Sequence, residues 1–490
     1  MVIYRPPDGW SNDPNGLVVV DEIKHLFFQY SPNSNQPQNL SWGHAISNDF
    51  VDWHDKGVAL PYNSITKEER FSGSAVYDCN NTSSLGSNGG PVVAIYTSNY
   101  AEDSTFPDGS PVTKGTQSQS LAFSTDKGMT WKNYSENPVI KHPPPKYADQ
   151  WQNFRDPKAF WYEPHGKWVL VAVLSELKKA ILYSSLNLKN WTYMSDFSSK
   201  NAPPNAIWEC PDLYEMKVVQ QNVTKWVMSI SSQPTENKIF EAMYYFVGSF
   251  DGYKFVEDKS QMQKRLDYGS DFYAGVTWNN VPNDLRLMIA WVDNWGYATN
   301  ITDKYRGGLS LVRCLNLIER SNGQYKLIQK PNSDIYKYVK SQRSYTKAEV
   351  ENGIEFGRNK AYNFIVTILL SRVNETGISL VIENEYHKEE AKIHYDHVNK
   401  TIYVEKLNIL VDPSSNEKRV KHSAKFDPGL KMVLSIFIDA YALTVFCNEG
   451  EIVFTELLRI VTNSTNRTMR LSKGSNAGIN VTQLWLAIKN

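Results

Sequence analysis

The chain has 490 residues, 41% hydrophobic and 21% charged, with 52 Lys plus Arg balanced by 52 Asp plus Glu. That length exceeds a usual single domain and predicts two, with enough apolar content for large cores. The balanced charge gives no drive toward nucleic acid or an anionic membrane surface, and no apolar run of about 18 residues offers a membrane span.

The opening Met1-Val-Ile-Tyr-Arg-Pro6 lacks the apolar centre of a signal peptide. Either a leader has been removed or the protein is not secreted. From there the pattern is β throughout. Strand-length runs rich in β-branched and aromatic residues occur at His25-Leu-Phe-Phe-Gln-Tyr30, Pro91-Val-Val-Ala-Ile-Tyr96, Lys167-Trp-Val-Leu-Val-Ala-Val173 and Leu285-Arg-Leu-Met-Ile-Ala-Trp291. Gly, Pro, Asn and Asp turns separate them, and no segment before residue 330 keeps a helical period.

A weak repeat runs through this region: a Ser, a short polar turn, then an aromatic. Its copies are Ser47 to Trp53, Ser124 to Trp131, Ser185 to Trp191 and Ser249 to Phe255, with a degenerate fifth near Asn322-Gly-Gln-Tyr325. The first four aromatics lie 78, 60 and 64 residues apart. That period fits four-stranded blades with long loops, and so a propeller of about five blades over residues 1–332. Unrelated hairpins in a sandwich are the alternative. Residues 333–345 are polar and read as a linker with a short helix. Alternation then resumes at Ile378-Ser-Leu-Val-Ile382, Thr401-Ile-Tyr-Val404 and Leu443-Thr-Val-Phe446, so residues 346–490 suit a β-sandwich. The predicted class is all-β, a five-bladed β-propeller followed by a C-terminal β-sandwich.

Four cysteines (Cys79, Cys210, Cys314, Cys447) form no CxxC pair, which argues against zinc and against a disulfide scaffold but leaves one or two bridges open. Twelve Asn-x-Ser/Thr sequons, at Asn39, Asn80, Asn81, Asn133, Asn190, Asn222, Asn300, Asn374, Asn399, Asn463, Asn466 and Asn480, favour a eukaryotic secretory route with N-linked glycans.

Five polar clusters sit near the starts of successive repeats: Asn12-Asp13-Pro14-Asn15-Gly16, Phe71-Ser72-Gly73-Ser74, Phe154-Arg155-Asp156-Pro157, Glu209-Cys210-Pro211-Asp212 and Ser270-Asp271-Phe272-Tyr273. In a propeller the innermost strand of each blade faces the central channel, so clusters sharing a phase converge on one funnel. Each alone has a bland reading: a turn, an ion pair, a bulge. Together, carboxylates beside Asn, Ser, Arg and Trp are what a sugar site needs, with bidentate partners for hydroxyls and aromatic walls for ring faces.

On these residues the chain resembles the invertase–inulinase family of glycoside hydrolases, in which a five-bladed propeller precedes a β-sandwich. The resemblance runs in order through Trp10-Ser-Asn-Asp-Pro-Asn-Gly16, Phe28-Gln-Tyr30, Trp42-Gly-His44, Phe71-Ser-Gly-Ser74, Phe154-Arg-Asp-Pro157, Trp208-Glu-Cys-Pro211, Asp271-Phe-Tyr-Ala274 and Asn294-Trp295. It implies Asp13 as nucleophile, Glu209 as acid/base, and Asp156, with Arg155 beside it, gripping two fructose hydroxyls and supporting the transition state. Asn12, Gln29, Ser72 and Trp295 match the rest of the pocket wall, and Trp42 and Phe71, from the same motifs, join the expected substrate-binding set. Breaking a fructoside creates an oxocarbenium-like centre, so one carboxylate must be ionised to attack and the other protonated to release the leaving oxygen, about 5 Å apart for retention. Like charges at that range, with burial, are expected to raise Glu209 relative to Asp13.

Three departures stand out. Ser11 replaces a usual Met, Pro37 falls where a pocket Trp is usual, and the lead-in is compressed to Arg5-Pro-Pro-Asp-Gly-Trp10. They leave the chemistry in place and bear on affinity and acceptor. The resemblance implies a secreted β-fructofuranosidase releasing terminal β-fructosyl groups from sucrose and short fructans through a covalent fructosyl-enzyme, with neither metal nor cofactor. Alternatives are a fructosyltransferase or fructan exohydrolase on the same site, and a catalytically silent fructan-binding homologue. A protein-interaction scaffold is disfavoured, having no need of Asp13, Asp156 and Glu209 in register. Expected partners are sucrose or fructo-oligosaccharide. A homo-oligomer through the sandwich is left open.

Overall fold

The structure, a computed structural model, describes residues 3–486 apart from 87–88, 236–241, 259–263, 301–305, 357–363, 372–376, 385–388, 408–418, 440, 459–466 and 472–477. The first two thirds of the chain form five antiparallel four-stranded sheets in chain order, the second interrupted by a short hairpin, Ser104–Thr105 with Pro111–Val112, and the fourth with one short extra strand. Their innermost strands are Trp10–Val20, Glu68–Tyr77, Phe154–Tyr162, Ala206–Lys217 and Tyr273–Thr277. This is the five-bladed propeller that the repeat predicts.

Each blade is covered on both faces by its neighbours, so its middle strands carry continuous apolar runs rather than alternation. Lys167–Leu174 is buried at every position. The packing forms five interblade cores. One joins Val169, Val171 and Val173 to Trp208, Leu213 and Met228, and another joins Leu26 and Phe28 of the first blade to Ile289 and Trp291 of the fifth. The ring closes there, where Tyr4 and Leu309 exchange two backbone hydrogen bonds.

The repeated Ser-turn-aromatic unit occupies the turn into each blade's outermost strand. Trp53, Trp131 and Trp191 immediately precede the outer strands His54–Leu60, Lys132–Asn133 and Thr192–Phe197, while Phe255 and Tyr325 begin theirs. Ser47, Ser124 and Ser185 each cap the turn by donating to Asp49, Asp126 and Asn187.

Residues 333–345 are not a linker throughout. Ser333–Tyr338 is a 3-10 turn, but Val339–Tyr345 is an edge strand paired with Gly478–Leu486 in a six-stranded sheet. Its polarity, read from sequence as linker character, is the charge that edge strands carry. A second six-stranded sheet packs against the first over a core that includes Val366, Leu380, Val404, Leu434 and Val445. Leu311 and Ile335 meet Phe437, Phe446 and Val453 where propeller and sandwich touch.

Among sequons, Asn39, Asn80, Asn133, Asn190, Asn222, Asn399 and Asn480 are exposed and Asn81 is half-buried. Asn374, Asn463, Asn466 and the side chain of Asn300 lie outside the described residues. All four cysteines are free thiols.

Candidate active site

Every inner strand has a register shift at its polar cluster: between Ser11 and Pro14, Arg70 and Gly73, Arg155 and Lys158, Glu209 and Asp212, and Tyr273 and Val276. A bulge inserts a residue, bends the strand and re-aims a side chain. Three bulges hold a non-glycine residue in the left-handed region: Asp156 at φ 61, Cys210 at φ 46 and Ala274 at φ 53. Such backbone costs roughly 1–3 kcal/mol per residue and persists only where surrounding bonds enforce it. Here they do. The Asp156 N–H donates to Thr97 Oγ1 and the Cys210 N–H to Asp156 Oδ2, both at 2.9 Å.

The five bulges bring the acids together. Asp13, partly open to the funnel, accepts Ser72 Oγ at 2.6 Å on Oδ2 and Asn12 Nδ2 at 3.1 Å on Oδ1. The Cys210 thiol lies 3.4 Å from Asp13 Oδ2. Arg155 donates to Glu209 Oε1 at 3.0 Å and to Ser175 Oγ at 2.7 Å, with its Nε 3.9 Å from Asp156 Oδ2. Tyr273 OH donates to the other Glu209 oxygen at 2.6 Å. Both carboxylate oxygens of Glu209 are thereby held. Trp10 fixes Asn12 in turn, donating from Nε1 to Asn12 Oδ1 at 2.8 Å.

Burial raises the Asp13 carboxyl above its ordinary range, and the Glu209 charge adds to this against hydrogen bonds from Ser72, Asn12 and Cys210. Burial also pushes Asp156 up, to about 7, with Arg155 drawing it down and the charges of Glu209 and Asp13 adding to the rise. The Cys210 thiol is pushed well up by burial and the surrounding carboxylates, so it is a neutral donor rather than a thiolate. Burial pulls Arg155 down, but Glu209 and Asp156 hold it above its ordinary value. The result is a cluster of three acids around one guanidinium and one neutral thiol.

Of the expected residues, Asn12, Asp13, Ser72, Arg155, Asp156 and Glu209 converge. Phe71 and Trp295 stay partly exposed and pack in one cluster with Cys210 and Tyr273; Trp295 stacks on Trp10 at 5.9 Å. Two residues do not open on the funnel. Trp42, on the third strand Ser41–Ser47, is fully buried between the first two blades and gives its indole N–H to Phe71 O at 3.0 Å. Gln29, on the second strand Ile23–Ser31, is 1% exposed and donates to Arg70 O at 2.8 Å. Both support the bulge at Phe71 and Ser72 from behind.

Of the departures, Ser11 is fully buried with its N–H on Arg306 O. Pro37 lies on a loop tied to the turn beyond Trp295 by Gln36 Nε2 donating to Thr299 O at 3.0 Å. The sequence reading named no role for Tyr273, although its cluster was singled out. It also passed over Thr97, on the second strand Val92–Tyr100, and Ser175, in the turn after Lys167–Leu174, neither of which carries a motif.

Comparison with known proteins places these residues in context. The description "Glycosyl hydrolases family 32 N-terminal domain" matches residues 4–331, and "Glycosyl hydrolases family 32 C terminal" matches residues 329–485. The extracellular exo-inulinase of Aspergillus niger is 35% identical over 473 residues, covering 92% of this chain and 88% of the relative. The levanase of Bacillus subtilis is 34% identical over 499 residues, covering 98% of this chain and 69% of its own length. Among solved structures, the exo-inulinase from Aspergillus awamori superposes with a TM-score of 0.88 at 31% identity, covering 99% of this chain and 98% of that one.

Proposed function

The chain belongs to glycosyl hydrolase family 32, and from that premise we propose that it is a retaining β-fructofuranosidase removing terminal β-fructosyl groups from sucrose and fructans. The observation that carries this reading is the meeting of Asp13, Asp156 and Glu209, from three blades, around Arg155 and Cys210. Asp13 attacks the anomeric carbon while Glu209 protonates the departing oxygen. The bond to the leaving group breaks as the Asp13 ester forms, and Glu209, now a base, takes a proton from the water that hydrolyses it.

Asp156 receives two sugar hydroxyls, which its backbone bonds at a fixed left-handed position keep from drifting. Ser72 and Asn12 hold Asp13 at its angle of attack; Arg155 and Tyr273 do the same for Glu209. Positioning of this kind converts a bimolecular encounter into an oriented one. Phe71 and Trp295 supply the apolar wall. The exo-inulinase and levanase relatives support fructans beside sucrose as substrates, and the extracellular relative together with twelve sequons supports secretion.

Incubation with sucrose, inulin and levan, followed by chromatography, tests the proposal. Single fructose units from each, and methyl β-fructofuranoside when methanol is added, are the expected products. Kestose-type trisaccharides as the main product from concentrated sucrose would favour the transferase reading. Absence of fructose from every substrate would refute the hydrolytic one.

A further inference from the structure

The fifth polar cluster divides its side chains between two places. Tyr273 is buried with its hydroxyl on Glu209, whereas Asp271, two residues earlier, is fully buried against the sandwich. Residues 267–271 lie along Ile452–Leu457, the edge strand of one sandwich sheet. Tyr268 N donates to Val453 O at 2.8 Å, Asp271 N to Thr455 O at 3.1 Å, and Leu457 N to Asp271 Oδ2 at 2.7 Å. Asp267 accepts Thr455 N and Oγ1, each at 2.8 Å, and Arg313 at 2.9 Å. Approach is this close because Gly269 has no Cβ; one would stand 2.1 Å from Thr455 O.

The Asp271 carboxylate also receives Ser270 Oγ at 2.6 Å, Tyr297 OH, and the ammonium of Lys406 at 3.5 Å. Lys406 in turn sits 2.7 Å from Glu456, which His422 Nδ1 contacts at 2.7 Å. Asp271, Glu456 and Lys406 are at most 3% exposed. A dry ion network of this kind is poor evidence for stability, since apolar replacements often match it; what it supplies is a fixed geometry. The segment it fixes runs directly into the strand carrying Tyr273.

We propose that Asp271 is a positioning residue for the acid/base. By riveting the segment before Tyr273 to Lys406, Glu456 and Leu457 of the sandwich, it sets the Tyr273 hydroxyl against Glu209, so the second half of the chain takes part in the chemistry. This inference rests on Glu209 being the acid/base.

The test uses the full chain with two substrates: sucrose, whose leaving group must be protonated, and a nitrophenyl β-fructofuranoside, whose leaving group departs with little help. Asp271→Asn lowers kcat/KM on sucrose about tenfold, the worth of one hydrogen bond to a charged group, while kcat/KM on the aryl fructoside, whose first step needs no acid, stays within about twofold. In a Tyr273→Phe background the same change costs less than about twofold more, because the path it acts through is gone. Should Asp271→Asn fail to fold, Tyr297→Phe, which removes one donor to Asp271, carries the same test. Equal losses on both substrates, or the same loss in both backgrounds, would overturn the positioning role. Glu209→Gln is the separate control: equal loss of kcat/KM, which reports only the fructosyl-transfer step, on both substrates there would remove the acid/base reading itself.

Discussion

Ser72 and Asp13, 59 positions apart in the chain, meet across the first two blades with the Ser72 hydroxyl donating to Asp13 Oδ2 at 2.6 Å. Burial raises the Asp13 carboxyl and this bond draws it back down. Ser72→Ala therefore moves Asp13 higher still. Since Asp13 acts only when ionised, the acid limb of kcat/KM against pH shifts to higher pH, with a loss of about tenfold on that limb and less at neutral pH. A pH–rate profile of the variant checks this, and an unmoved acid limb would contradict it.

Asp156 trades stability for function. Its folded carboxyl lies at about 7 against an ordinary 3.8, because it is buried beside two other acids. The folded state thus binds the proton more tightly than the unfolded state between those values, and stability is lost as pH rises through about 7. Asp156→Asn, which cannot ionise, raises Tm at pH 7.5 by a few degrees, and the gain shrinks toward pH 4. The same variant loses kcat by about a thousandfold, as expected for a group bonded to the transition state. Thermal scans at the two pH values and initial rates on sucrose decide both halves.

The first blade contains a different pH dependence. His25 Nδ1 and His44 Nε2 lie 3.0 Å apart and their rings stack. Burial lowers His25 to about 4 and His44 to about 3, the latter further depressed by His25 and Lys56. Neutral imidazoles suit the fold, so their contribution is complete above pH 6.5 and is lost as pH falls toward these values. His44→Gln removes about one proton from the slope of stability against pH between 6 and 4. Denaturant melts across that range measure it; an unchanged slope would place the acid sensitivity elsewhere.

Much of this fold was legible because propeller blades repeat local chemistry. The turn before each outer strand needs a Ser and a carboxylate or amide to cap it, and an aromatic to close the interblade core, so Ser47, Ser124 and Ser185 announce themselves. The site was legible for a related reason: the bulges fall at the same level of all five inner strands, and a shared phase can be read along the chain. What stayed hidden depends on three dimensions. Trp42 and Gln29 sit in strong motifs, yet lie two strands and one strand behind the innermost one. Asp271 looks like a fourth site acid but is claimed by Lys406 and Leu457, more than a hundred residues later. Val339–Tyr345 has the polarity of a linker because edge strands are polar.

The account stands or falls on a covalent bond to Asp13. In the Glu209→Gln variant, a nitrophenyl β-fructofuranoside fructosylates the nucleophile, releasing nitrophenolate without acid help, while the missing base slows hydrolysis, so the fructosyl-enzyme accumulates. After acid quench and proteolysis, mass spectrometry is predicted to find one fructosyl group on the peptide carrying Asp13, and none when Asp13→Ala is combined with Glu209→Gln. A fructosyl group on Asp156 or another carboxylate, or turnover with no labelled peptide and an inverted product, would contradict it.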